Sequence, residues 1–148
     1  AVCVAWPDAL TIGSDQVATV DGELFGKPGT REGALAQLAR MSGRIVTFHT
    51  ALCVMHSDSG EHEVVDVPTE VGFRKLSEAD IAHYVEREPA YDCAGAAKVE
   101  ALGISLLEFV RSDDPTALVG LPLIALWVKM LKTAINALKH EYRLPVIR

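Results

Sequence analysis

The sequence predicts an α/β domain built on a mixed, twisted sheet with flanking helices. Three observations predict it. Runs rich in β-branched and aromatic residues recur between residues 9 and 73 with loose two-residue alternation. Other segments, near residues 31–41 and 122–142, place apolar residues three and four apart, the helical period. Finally, strands and helices follow one another without strict alternation, which favours a mixed sheet over a doubly wound parallel one.

Residues 9–14, Ala-Leu-Thr-Ile-Gly-Ser, read as a buried strand running into a polar end at Asp15 and Gln16, so Asp15 is expected at a strand's carboxyl end. Residues 17–20 and 23–25 flank Asp21-Gly22, the pattern of a tight hairpin, because Gly reaches the positive φ such turns need. Gly26-Lys27-Pro28-Gly29 follows as a loop. Thr30 then caps a helix whose apolar face is Ala34, Leu35, Leu38 and Met41, with Gly43 as its left-handed stop.

Residues 44–55 and 63–73 read as two long antiparallel strands around the turn Ser57-Asp58-Ser59-Gly60. Ser77 and Asp80 form a capping box for a helix carrying Ile81, Tyr84 and Val85 that stops before Pro89. A small-residue loop, residues 93–98, leads to a strand over residues 103–110, which Asp113-Asp114-Pro115 breaks. The last helix runs from Pro122 to about Tyr142, with Leu123, Trp127, Met130, Leu131, Ala134 and Leu138 as its packed stripe and Trp127 as a core residue.

Composition bounds the function. The chain has 148 residues, of which 49% are apolar, 23% charged and 6% aromatic. That is one domain, able to fold on its own core without disulfides or metal. With 14 Lys+Arg against 20 Asp+Glu the net charge is −6, which argues against a nucleic-acid partner, since neutralising many phosphates takes an excess of cations. Cys3, Cys53 and Cys93 are odd in number and widely spaced, so reduced thiols and a cytoplasmic location are expected rather than a disulfide framework or a zinc site. The five histidines lack any metal-binding spacing. The most apolar stretch, residues 117–128, is broken by Gly120 and Pro122 and is far shorter than a membrane span, so no membrane partner is expected.

Polar and small residues interrupt these patterns where loops meet strand ends: Ser14, Asp15 and Gln16; Gly26, Lys27 and Pro28; Lys98 and Glu100; Gly120, Leu121 and Pro122. Strand ends and the loops beyond them are where sites are commonly built. Each signal alone also fits a turn former or a solvated charge.

In this order they resemble the Maf family of nucleoside triphosphate pyrophosphatases. The resemblance rests on Ile12-Gly13-Ser14-Asp15-Gln16-Val17, Asp21-Gly22-Glu23 and Gly26-Lys27-Pro28, then Ser42-Gly43, Phe73-Arg74, Tyr84-Val85, Cys93-Ala94-Gly95 and Val119-Gly120-Leu121-Pro122. Gln16 directly after the acid, Cys93 before Ala94-Gly95, and Lys98 with Glu100 are similar to the 7-methyl-GTP branch; the dTTP/UTP branch typically has Thr after the acid and Gln in the later loop.

The resemblance implies hydrolysis of a nucleoside triphosphate between the α- and β-phosphates with the help of a divalent metal cation, Mg2+, Mn2+ or Co2+. It implies Asp15 as proton acceptor or metal ligand, Lys27 and Lys98 as phosphate-facing cations, and Gln16 and Glu100 as base-selecting residues. A carboxylate acceptor suits the N–H donors of guanine, and N7 methylation adds ring charge that an anion favours. A small nucleotide is thus the expected partner, and a homodimer is open to such a chain. Broader dTTP/UTP specificity, and a catalytically weak nucleotide-binding module linked to cell division, are the competing expectations. Members of this family begin with a strand, an arginine-bearing loop and a helix that have no counterpart here, so the resemblance implies a single domain over residues 1–148 that is incomplete at its N-terminus.

Overall fold

A computed structural model describes the backbone of residues 2–142 and, apart from Cys3, their side chains up to residue 136. The short helix α1 (Val2–Ala5) precedes the hairpin of β1 (Leu10–Val20) and β2 (Glu23–Phe25). Asp21 and Gly22 both take positive φ, 50° and 83°, the two-residue turn whose twist matches that of its strands.

Next come helix α2 (Arg31–Met41) and the long strands β3 (Ile45–His56) and β4 (His62–Phe73), then α3 (Glu78–Arg87), β5 (Leu107–Arg111) and α4 (Leu123–Tyr142). Both expected caps form. The Thr30 hydroxyl accepts from Gly33 N at 3.1 Å, and Ser77 and Asp80 make a reciprocal capping box.

The sheet has the order β2-β1-β3-β4-β5, and all four pairings are antiparallel. Residues 10–19 of β1 pair with β3, whereas β2 pairs only with residues 18–20. Along residues 10–17 β1 therefore presents an open edge among the described residues.

Alternation decides what is buried. In β3 the residues Val46, Phe48, Thr50, Leu52 and Val54 are at most 1% exposed, so one face of the sheet carries the core. The end holding Val46 and Phe48 packs under α2 and α3 through Leu38, Met41, Ile81, Tyr84 and Val85. The other end, with Leu52 and Val54, packs under α4 through Leu126 and Met130. All three long helices thus lie on the same side.

Three sequence expectations are corrected. Asp15 is not at a strand end: β1 is continuous through it, and Asp15 sits opposite Ala51 in the ladder, because backbone pairing to β3 does not depend on side-chain polarity. Residues 102–106 form a 3-10 helix and only residues 107–111 are strand. Gly103 stands so close to the Lys98 backbone that a Cβ there would lie 2.5 Å from the carbonyl oxygen. Trp127 is not core either, being 63% exposed; Leu123, Ile124, Val128, Leu131 and Ile135 share that outward side, each about half exposed. The helix is apolar around most of its circumference, so periodicity does not choose its inward face. Leu126 and Met130 turn inward onto Leu52 and Val54 and Thr133 is buried with them, while Lys129 and Lys132 both pair with Glu63 on β4. Leu138, also expected in the packed stripe, lies outside the described side chains.

Candidate functional site

Four backbone segments converge on a cleft of about 250 Å³ at the open edge of β1. The first is β1 itself. Ser14 and Gln16 share the face of Ala18, while Asp15 belongs to the opposite face. All three reach the cleft because β2 does not cover this stretch of the edge. The Asp15 carboxylate is exposed and accepts one hydrogen bond, from Gln16 N at 2.9 Å, so most of its lone pairs face solvent.

The second segment is the loop bearing Lys27, which is anchored on both sides. Gly26 O accepts from Gly95 N at 3.4 Å and from Gln37 Nε2 at 3.2 Å, and Gly29 N donates to Tyr91 O at 2.9 Å. The third segment, residues 92–100, forms the facing wall, with Asp92, Cys93, Ala94, Ala97 and Glu100 lining the cleft. Gly95, at φ 68°, makes the turn in that wall.

The fourth segment is the turn over residues 117–120, which contributes Leu118, Val119 and Gly120. It is tied to β1 and β3 by side chains. Ser14 Oγ shares its proton between Gly120 O, at 2.8 Å, and Ala51 O, at 2.9 Å. Gln16 Nε2 donates to Thr50 Oγ1 at 2.9 Å and to Ala117 O and Leu118 O at 3.0 and 3.2 Å. The Thr50 hydroxyl, fully buried, donates to the same Ala117 carbonyl at 2.9 Å.

Of the residues expected from sequence, Asp15, Gln16, Lys27 and Glu100 therefore line one cleft. Lys98 is not among the lining residues; its backbone N–H donates to the Tyr84 hydroxyl at 3.1 Å, while its charge still acts on the Cys93 thiol. Asp92 and Cys93 are lining residues that sequence reasoning left unassigned. Their position beside Ala94-Gly95 was the available signal.

Electrostatically the cleft is mixed, with Lys27 facing Asp15, Asp92 and Glu100. Burial, followed by the neighbouring Asp92 carboxylate, pushes the Cys93 thiol above its ordinary value, so Cys93 meets a ligand as a neutral, weakly polar group.

The donor set also bears on a divalent cation. Three carboxylates line the cleft, and hard cations take such oxygen ligands. No group of three ligating side chains is preassembled among the described residues. An ion of the Mg2+ type commonly uses one or two carboxylates and fills its remaining positions with water and substrate phosphates.

Beyond Gly120 the first amides of α4 are not free to receive an anion. Leu123 N donates to Thr116 Oγ1 at 2.7 Å, and Ile124 N and Ala125 N donate to Asp114 Oδ2 at 2.8 and 3.1 Å. The first amides of α4 are already taken by these side chains.

The sequence model of a family described as "Maf-like protein" matches residues 1–134. A protein of Aromatoleum aromaticum named 7-methyl-GTP pyrophosphatase is 59% identical over 126 residues, covering 85% of this chain and 65% of that protein. Its namesake in Cupriavidus metallidurans is 57% identical over 126 residues, 85% of this chain and 63% of the relative. That of Paraburkholderia xenovorans is 62% identical over 118 residues, 80% and 58% respectively. The chain spans about three fifths of the length of these relatives. No helix among the described residues is long and apolar enough to cross a membrane. The family match runs through β1, the Lys27 loop and the 92–100 wall that together build the cleft, and so the chain belongs to the Maf-like protein family.

Proposed function

We propose that the chain is a cytoplasmic nucleoside triphosphate pyrophosphatase that converts 7-methyl-GTP to its monophosphate and pyrophosphate. The single observation that carries this reading is the meeting of Asp15, Lys27 and Glu100 on one cleft. An exposed carboxylate, a cation on an anchored loop and a second carboxylate on the opposite wall provide for water, phosphate and base in one space. The names of the relatives, all 7-methyl-GTP pyrophosphatases, support the choice of substrate.

Asp15 orients the attacking water or holds the divalent cation, using carboxylate oxygens that its one backbone bond leaves available. When bound, that cation would lower the pKa of water and neutralise charge on the triphosphate. Lys27 meets the phosphates, and the three bonds that anchor its loop fix the backbone that presents it, which matters because phosphoryl transfer depends mainly on positioning and electrostatics. Lys98, outside the lining of the cleft, is the second cation of this reading and acts through its charge. Glu100 accepts from the Watson–Crick N–H groups of guanine and offsets the positive charge of the N7-methylated ring.

The test is pyrophosphate release by the wild type and Asp15→Asn with Mg2+ across 7-methyl-GTP, GTP, dTTP and UTP. The reading requires wild-type turnover that is fastest with 7-methyl-GTP and lost in Asp15→Asn. Equal, negligible release by both proteins would refute it.

A further inference from the structure

Asp114 is the most deeply buried charged residue in the described core, 3% exposed, and the chemistry above leaves it without a role. Its carboxylate is fully engaged. Oδ1 accepts from Thr116 N at 3.1 Å and Thr116 Oγ1 at 2.6 Å, while Oδ2 accepts from Ile124 N and Ala125 N at 2.8 and 3.1 Å. The Thr116 hydroxyl passes the connection on by accepting from Leu123 N at 2.7 Å. Upstream, Ser112 Oγ accepts from Asp114 N and from Thr69 Oγ1, which anchors the segment to β4. One buried anion thus joins the sheet, the first turn of α4 and the 3-10 turn that forms a wall of the cleft.

The first two residues of that turn carry the carbonyls which hold Gln16. The Gln16 carboxamide has two N–H protons; one goes to Thr50 Oγ1, the other to the paired carbonyls of Ala117 and Leu118. Because carbonyls only accept, they also determine which end of the amide points at them: nitrogen toward the turn, Oε1 away from it. Gln16 is a lining residue of the cleft. An acceptor oxygen fits a base edge that donates.

We propose that Asp114 is a positioning residue for base selection: it fixes the 117–120 turn, the turn's carbonyls hold the Gln16 carboxamide by its nitrogen, and Gln16 Oε1 is thereby presented as an acceptor for the N–H edge of guanine. This rests on the nucleotide reading above and extends it from the residues that touch the base to the buried group that orients one of them. Charge is needed at position 114 because four donors converge on one side chain, and an asparagine would set its own N–H groups against one pair of them.

The test uses the full chain and two readouts. Equilibrium binding of 7-methyl-GTP and UTP is measured by calorimetry without added divalent cation, and turnover of both is measured with Mg2+, for wild type, Asp114→Asn, Thr116→Val and Thr116→Ser. The expected result is a fall of about tenfold in the preference for 7-methyl-GTP in Asp114→Asn and Thr116→Val, with UTP binding changed less than about threefold, and a wild-type preference in Thr116→Ser. Should Asp114→Asn fail to fold, Thr116→Val carries the same comparison. A uniform loss for both nucleotides, an unchanged preference, or a wild type that does not distinguish the two in binding would overturn the proposal. Selective binding that depends on Asp114, with no wild-type pyrophosphate release, would instead sink the pyrophosphatase reading and leave the positioning role standing.

Discussion

The ring of Phe48 on β3 fills the space that a side chain on Gly95 would need: a Cβ built on Gly95 lies 3.2 Å from Phe48 Cζ, tighter than ordinary carbon contacts allow. Gly95 also holds φ at 68°, where an L-residue is strained by roughly 1 kcal/mol. Both facts concern the cleft, because Gly95 N donates to Gly26 O beside Lys27 and Gly95 turns the wall that carries Cys93 and Glu100. Gly95→Ala is therefore expected to destabilise the fold by about 1–3 kcal/mol in urea unfolding and to raise KM for nucleotide more than it lowers kcat. Wild-type stability together with an unchanged KM would show that this glycine is dispensable.

Asp15 gives the sharpest catalytic prediction. Its Oδ1 bond to Gln16 N can persist when the other oxygen is replaced, so Asp15→Asn keeps the shape of the strand and removes the charge. A base or metal-holding group accounts for about 10²–10⁴ in rate. Pyrophosphate release should fall by that factor while nucleotide affinity stays within about threefold, as checked by single-turnover kinetics and calorimetry. A loss below tenfold would remove Asp15 from the chemistry.

Cys93 reports on occupancy of the same cleft. Burial first, and the adjoining Asp92 carboxylate second, raise its thiol pKa, so the reactive thiolate is scarce at neutral pH. Iodoacetamide should label Cys93 slowly at pH 7 and about ten times faster for each unit of rising pH, with no plateau by pH 9. Saturating 7-methyl-GTP should slow the labelling at pH 9, followed by peptide mass spectrometry. Labelling that is rapid at pH 7 would contradict the neutral-thiol assignment.

How much of this was legible in the sequence depends on how local the cause is. The caps at Thr30 and Ser77 and the Asp21-Gly22 turn are bonds within three residues, and all were readable. Asp15 was misplaced because Gly13-Ser14-Asp15-Gln16 looks like a polar strand end, whereas its place is decided by the ladder to residues 50–53 of β3. The inward face of α4 is fixed by partners far away in sequence, Leu52 and Val54 against Leu126 and Glu63, 66 residues from Lys129. Asp114 looked like part of an Asp-Asp-Pro run that ends the strand before it. One signal could have exposed it: α4 starts at Leu123 after Leu121-Pro122, without a capping Ser, Thr, Asp or Asn, so its free amides had to find an acceptor elsewhere.

The corrected orientation of α4 makes a paired prediction about stability. Leu126 is 8% exposed and packs on Leu52 and Val54, so Leu126→Ala should cost about 2–3 kcal/mol. Trp127, its chain neighbour, is 63% exposed, so Trp127→Ala should cost less than about 1 kcal/mol despite deleting the larger side chain. Chemical denaturation of the two variants checks the order. A larger cost at Trp127 would mean that the helix is rotated from the position described.

Asp114 ties stability to pH in a direction that can be worked out. Desolvation acts to raise its pKa from the ordinary 3.8, but the hydrogen bonds from Thr116, Ala125 and Ile124 together outweigh it, and the folded-state value is lowered. A carboxylate with a depressed folded pKa binds its proton more readily in the unfolded chain. Its contribution to stability is therefore fully present above the unfolded value and is lost as pH falls through the folded one. Asp114→Asn has no such proton to take up. The difference in Tm between wild type and Asp114→Asn should accordingly be constant from about pH 5 to pH 8 and shrink below about pH 4. Scanning calorimetry at four pH values reads this directly. A difference that instead grew on acidification would mean that the folded protein holds Asp114 protonated, which is incompatible with a carboxylate accepting two amides from α4 and two donors from Thr116.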